Sequence, residues 1–412
     1  MDMTPFRGRT VPLPPAEAEA LIRTEFAGLR GAYLDVAARG PLPASAERGA
    51  MAVLRAQATG AVPKGDWLAL AETVRGQAAA SIGARPETIA FTKNVSDGIN
   101  IVAAGLSLGP GDRIVVAPAA EHPNNVFPWL WQAQMRGAEV VSVVARPGEE
   151  LEAAIVRHIG PRTKLAAVTT VDFGTGRRTD LTAIGTACRT HGAFLLVDAA
   201  QSSGVLVEDM AVLPVDGWAA AAQKGLLAPY GMGLLYIRPD WADRIRPAGL
   251  ARFSVELKAG HEAAGPEDGW RLRDGAGRYE IGNYNYVALA ALHASLDFLA
   301  RIGPEAVEQR ALAAADSLRA VVERLDIPLL PIGPEYRSHI LSIAERQEEG
   351  HDRSKVAWIN GLSDWLSGDG VAHSVRRGAV RLSTHVHVLP EVLERAARSL
   401  EAWRRSGGAG AL

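Results

Sequence analysis

Leu195-Leu-Val-Asp-Ala-Ala-Gln201, read with Gln223-Lys224-Gly225, decides the fold. Residues 193–197 form an unbroken apolar run, the pattern of a strand buried on both faces, and the run ends in a carboxylate, Asp198. A second short apolar run over 217–222 leads to a lone lysine, Lys224, among small residues. An acid at the carboxyl end of one sheet strand and a lysine after the next converge on one edge, where open α/β sheets bind ligands.

The pattern extends outward from this pair. Strand-like runs at 87–91, 112–117, 139–144, 165–171, 193–197, 217–222 and 233–237 are interleaved with helical spacing at 67–82, 96–106, 151–158 and 181–191. Such alternation predicts an α/β domain with a mostly parallel seven-stranded sheet covered on both faces, its last strand returning antiparallel. We assign 31–250 to this large domain and 1–30 to an N-terminal arm and helix that contribute to a smaller domain. Residues 251–412 complete the large domain with a helix and form a small α+β C-terminal domain, with strands expected at 327–332, 339–344 and 380–383 and a closing helix at 390–405. The polar, Gly-rich stretch 257–277 reads as a surface segment and 406–410 as a frayed end.

Bulk properties exclude several classes. A formal net charge of −2 with 22% charged residues and no basic run argues against nucleic acid as a partner. No apolar run reaches the roughly 18 residues of a membrane span, and the N-terminus lacks a signal-peptide pattern. The single cysteine, Cys188, can form no intrachain disulfide, which fits a cytoplasmic protein. His385-Val-His387 has no third ligand nearby, so no metal is expected.

The residue types then narrow the chemistry. Lys224 has no acid beside it in sequence, and burial lowers a lysine's pKa and favours the amine that attacks an aldehyde. Asp198, buried after four apolar residues, needs a partner, and a protonated pyridine nitrogen is one. Together they are the two groups that pyridoxal phosphate (PLP) requires of a protein. Gln201 is in reach of that cofactor's phenolic oxygen, and the strand-turn-helix Phe91-Thr-Lys-Asn-Val-Ser-Asp-Gly98 offers a helix N-terminus and the Ser96 hydroxyl to a phosphate. His122, just past a strand end, is placed to stack on a ring. Each has a structural alternative: a lysine reaching water, an Asp N-cap, a first-turn Gln, plain Ser capping, a structural histidine.

Glu121-His122, Asp198-Ala-Ala-Gln201 and Lys224, in this order and at these intervals, resemble the class V aminotransferase family of fold-type I PLP enzymes, nearest its cysteine desulfurase, selenocysteine lyase and isopenicillin N epimerase branch. The resemblance runs from Tyr33-Leu-Asp to the last helix. It implies a homodimer with active sites at the subunit interface. It also implies that Lys224, Asp198 and His122 are catalytic, with Gln201, Val95, Ser96 and Gln223 beside them at the cofactor, and that Asn283 reaches the partner subunit's phosphate. Arg381 matches the arginine that clamps a substrate α-carboxylate, with Arg39 and Asn125 expected at the same substrate.

The chain departs from the family at three places. Ala221-Ala-Gln223-Lys224 stands where relatives carry Ser-x-His-Lys, Val171-Asp172 stands where many carry a polar residue near the cofactor, and 366–374 lacks the mobile cysteine of desulfurases. The expected activity is that of a PLP enzyme on an α-amino acid in which Lys224 removes the α-proton. The favoured outcome is β-elimination of the C–S lyase type without a cysteine persulfide. The alternatives are transamination, epimerisation, or binding of PLP or a metabolite without turnover.

Overall fold

The computed structural model describes residues 11–61, 64–257, 269–348 and 351–407. Seven strands form the large sheet: β1 (Ile89–Thr92), β2 (Arg113–Val116), β3 (Glu139–Ser142), β4 (Thr163–Thr169), β5 (Phe194–Asp198), β6 (Gly217–Ala221) and β7 (Gly233–Ile237). Their order is β1-β7-β6-β5-β4-β2-β3. All run parallel except β7, which is antiparallel to both β1 and β6. The sheet is α/β and mostly parallel, as its strand–helix alternation predicts. β5 and β6 are buried along their whole length, which is why they read as continuous apolar runs rather than alternating ones.

β1 starts at Ile89 rather than at residue 87, because Pro86–Thr88 forms a 3₁₀ turn with Pro at its start. In the smaller domain, β8 (Ile340–Ile343), β9 (Ser374–Arg376) and β10 (Ala379–Ser383) form an antiparallel sheet, order β8-β10-β9. The strand expected over 327–332 is reduced to one bridge between Leu329 and Ile343. Pro328 and Pro331 on either side have no N–H to donate to a ladder.

Residues 32–35 sit with the smaller domain rather than the large one. Ala32–Tyr33 pairs with Val371–Ala372, Asp35 bridges Ser383, and Ala32 and Leu34 are buried in the same core as Leu382 and Leu400. The expected 366–374 loop is ordered structure: a helix over Ala357–Gly368 runs into it, and Val371–Ala372 and β9 complete it. Residues 258–268, the centre of the expected surface segment, and 408–410 of the expected frayed end lie outside the described residues. The flanks Val255–Leu257 and Trp270–Leu272 pair antiparallel.

Among the described residues no single helix is long and apolar enough to cross a membrane. Tyr286–Ile302 and Pro304–Arg324 pass by composition only as a pair bent by 83°, and the first of them contributes Leu289, Leu292 and Leu296 to the large-domain core.

Two cavities meet where the domains join. Gly40 marks the tightest approach: a Cβ there would lie 2.2 Å from the Lys224 carbonyl oxygen, and the Gly40 N–H donates to the Gln223 carbonyl at 2.8 Å. A side chain at 40 would push the small-domain segment off the lysine turn.

Candidate active site

Asp198 ends β5 in register with Thr169 on one side and Ala219 on the other. Lys224 follows β6 by one turn, so the acid and the amine reach the same sheet edge. They line one cavity of about 410 Å³ together with Lys93, Asn94, Val95, Ser96, His122 and other groups named below.

Lys224 is half-buried at the cavity wall, and desolvation lowers its pKa to about 8, against a smaller opposing pull from Asp198. Its amine has no hydrogen-bond partner among the described residues. Asp198 accepts the Ala200 N–H at 2.9 Å through Oδ1, and burial raises its pKa. Its other oxygen has no hydrogen-bond donor among the described residues.

The phosphate-binding expectation falls on the N-terminus of the Val95–Gly105 helix. Asn94 caps it by accepting the Asp97 N–H at 2.9 Å, and Asp97 in turn accepts the Lys93 N–H. Val95 and Ser96 form the first turn at the cavity wall.

His122 also lines this cavity. Its Nδ1 accepts the Asn124 N–H at 3.2 Å, and burial, with help from the charges of Lys224 and Arg377, lowers its pKa to about 4. The ring is therefore neutral near pH 7 and meets Phe173 edge to face, 4.9 Å between centroids.

Gln201 and Gln223 line the cavity, and each keeps a buried amide oxygen with no partner among the described residues. The Gln201 amide nitrogen donates to the Ala37 carbonyl at 3.1 Å, leaving its second N–H unused.

A second cavity of about 540 Å³ adjoins the first and shares His122, Phe173, Gln201, Lys224 and Tyr230 with it. Arg381 lies on its wall, almost fully buried. Its Nε donates to Ser374 Oγ at 3.1 Å, Nη1 donates to the Phe173 carbonyl at 2.6 Å, and Nη2 is 3.6 Å from Asp35. Three of five N–H groups are used, which leaves one on each terminal nitrogen for a carboxylate fork. Arg39 lines the same cavity and is exposed.

Asn125 and Asn283 lie elsewhere. Asn125, expected at the substrate, is fully buried: its amide donates to Glu121 at 2.8 Å and accepts from the Trp129 indole at 3.2 Å. Its neighbour Asn124 takes the place at the cavity wall. Asn283 is exposed and lines neither cavity. His385 and His387 spend their Nε2 atoms on backbone carbonyls, those of Gly204 and Gly225 and that of Tyr33.

Sequence reasoning missed Thr169, Phe173, Tyr230, Asp35 and Ser374. Thr169 was findable, since it ends the strand beside Asp198. The others sit in turns or reach across from the other domain and carry no periodic signal.

A class-V aminotransferase family model matches residues 33–382. The chain belongs to the class-V aminotransferase family. It is therefore an enzyme of a PLP-dependent family. It is 32% identical over 286 residues to a probable cysteine desulfurase of Methanothermobacter thermautotrophicus, 69% of each chain. It is 28% identical over 333 residues to the isopenicillin N epimerase of Streptomyces clavuligerus, 78% of this chain and 81% of that one. In fold it is similar to the apo cysteine desulfurase of Thermococcus onnurineus NA1, with TM-score 0.80 and 24% identity over 97% of this chain and 100% of that one. The cystine C–S lyase C-DES, solved with its product cysteine persulfide, gives TM-score 0.80 and 24% identity over 91% of this chain and 99% of that one.

The residues present fit the family's cofactor. The cavity offers a partly desolvated amine, a buried carboxylate with an oxygen to spare, a neutral imidazole, and the N-terminus of an eleven-residue helix with its first-turn N–H groups. With the Lys224 pKa at about 8, roughly one amine in ten is neutral at pH 7. The rate at which apo-protein takes up PLP, followed by visible absorbance, should rise about tenfold per pH unit below 8 and level off above it. A rise that continues past pH 9 would show an ordinary lysine.

Proposed function

We propose that this class-V aminotransferase acts on an α-amino acid and breaks a bond at its β-carbon, as a C–S lyase does, without a protein persulfide. The observation that carries the reading is the joint cavity, which sets the Lys224 amine between the Asp198 carboxylate and the Arg381 guanidinium. Bound PLP supplies an electron sink for charge developing at the substrate α-carbon.

This chain's own residues would do the rest. Asp198 would hold a proton on the ring nitrogen. His122 would cover a ring face, the helix N-terminus at Val95 and Ser96 would meet the phosphate, and Gln201 and Gln223 would offer amide N–H groups to the ring oxygen and the phosphate. Arg381 clamps the carboxylate, Arg39 flanks the substrate, and Lys224 takes the α-proton. Its pKa of about 8 suits a general base near neutral pH.

The second cavity, of about 540 Å³, would receive the side chain. Cys188, the one cysteine in the sequence, is buried on the Leu181–His191 helix, and burial pushes its thiol up to about 12. That supports a route with no protein thiolate. The exposed Asn283 supports the reading that it reaches the phosphate in a partner subunit of a cytoplasmic homodimer.

Incubation of the PLP-loaded protein with a panel of amino acids tests the proposal. Pyruvate with ammonia marks elimination. A keto acid with the amine form of the cofactor marks transamination, and inverted substrate marks epimerisation; either result without pyruvate overturns the lyase reading. Arg381→Ala should leave the colour of the bound cofactor intact and lower kcat/KM for the amino acid by about 2–5 kcal/mol, mostly through KM. Loss of colour instead would place the carboxylate site elsewhere.

A further inference from the structure

β9 and β10 are joined by only two residues, Arg377 and Gly378, both left-handed, with φ 49° and 76°. A two-residue hairpin turn of this kind requires a left-handed backbone at both positions, and arginine fills the first of them, where Asn, Asp or Gly is usual. The Arg377 side chain leaves the small domain and crosses to the large one. Nη1 donates to the Ala119 carbonyl and Nη2 to the Glu121 carbonyl at 2.9 Å, the two residues that lead into His122. Nη1 is also 3.5 Å from the Asp172 carboxylate. The guanidinium carbon lies 4.5 Å from the centre of the Phe173 ring, whose edge-to-face partner is His122. Gly174 makes room for it: a Cβ there would come 2.8 Å from Arg377 Cδ.

We propose that Arg377 is a positioning residue for the cofactor site. It ties the Ala119–Asn125 turn and the Phe173 ring together, so that the imidazole of His122 is held in place at the cavity wall only while the small domain is docked. No other cation is stacked on the Phe173 ring among the described residues. The inference rests on reading the cavity as the PLP site.

Two variants of the full-length protein test it, each loaded with PLP: Arg377→Ala, which removes the clasp, and Gly174→Ala, which keeps the arginine but pushes its stem aside. Both should shift the visible band of the bound cofactor and weaken PLP binding about tenfold. Both should lower kcat about 10–10²-fold, the scale expected of a small misplacement, with KM for the amino acid changed less than about twofold. A purely structural role would lower the melting temperature and leave spectrum and kcat unchanged in the folded fraction. Wild-type spectrum, PLP affinity and kcat in Gly174→Ala would overturn the proposal, even if Arg377→Ala fails to fold. Failure of the wild-type protein itself to bind PLP would instead remove the cofactor reading on which the inference stands.

Discussion

Lys224→Ala is expected to abolish covalent attachment of PLP and to lower turnover by about 10²–10⁴-fold through loss of the general base alone. The reason is positional. Lys224 is the half-buried amine at the junction of the two cavities, and its depressed pKa of about 8 keeps a usable neutral fraction near pH 7. Among the residues lining either cavity the only other lysine is Lys93, which stands at the helix N-terminus beside Asn94. The variant should still bind PLP noncovalently, because the phosphate and ring contacts come from other elements. Its visible spectrum should then be that of the free aldehyde. Wild-type turnover in Lys224→Ala would mean that another group abstracts the proton.

The second large effect is expected of Asp198→Ala. A fully buried carboxylate whose pKa burial has raised destabilises the empty site, and a cation against it reverses that cost. The protonated ring nitrogen is such a cation. Removing the acid should let the nitrogen lose its proton and lower kcat on the order of 10²–10³-fold, the scale seen when one preorganised electrostatic partner is deleted. Linkage gives a second readout. PLP should raise the melting temperature of the wild-type apo-protein, and by clearly less in Asp198→Ala. Equal stabilisation in both would show that the carboxylate does not face the cofactor.

The parts of this site that were legible are the ones built on strand ends. Asp198 closes a run of apolar residues and Lys224 follows the next, so the period of the sheet and the chemistry of two side chains were enough to pair them. The 95–105 helix was legible because Asn94 and Asp97 carry capping chemistry at its start.

What was not legible depends on contacts between residues far apart in the chain. Asp35 meets Ser374 and Arg381, and Arg377 meets Ala119 and Phe173; no local periodicity encodes such pairs. Asn125 misled for a local reason. Asparagine two residues beyond a strand-end His-Pro looks available, but the Glu121 carboxylate and the Trp129 indole at i−4 and i+4 consume its amide. The 366–374 segment misled through its Gly and Ser content, which belongs to the end of a helix and a short parallel strand.

The most direct test is to add PLP to the purified apo-protein, reduce with borohydride, digest, and locate the added mass. The account predicts a yellow protein, bleached by borohydride, with the reduced pyridoxyl phosphate on the peptide containing Lys224 and on no other. A protein that gains no visible band, or a label on a different lysine, would contradict it.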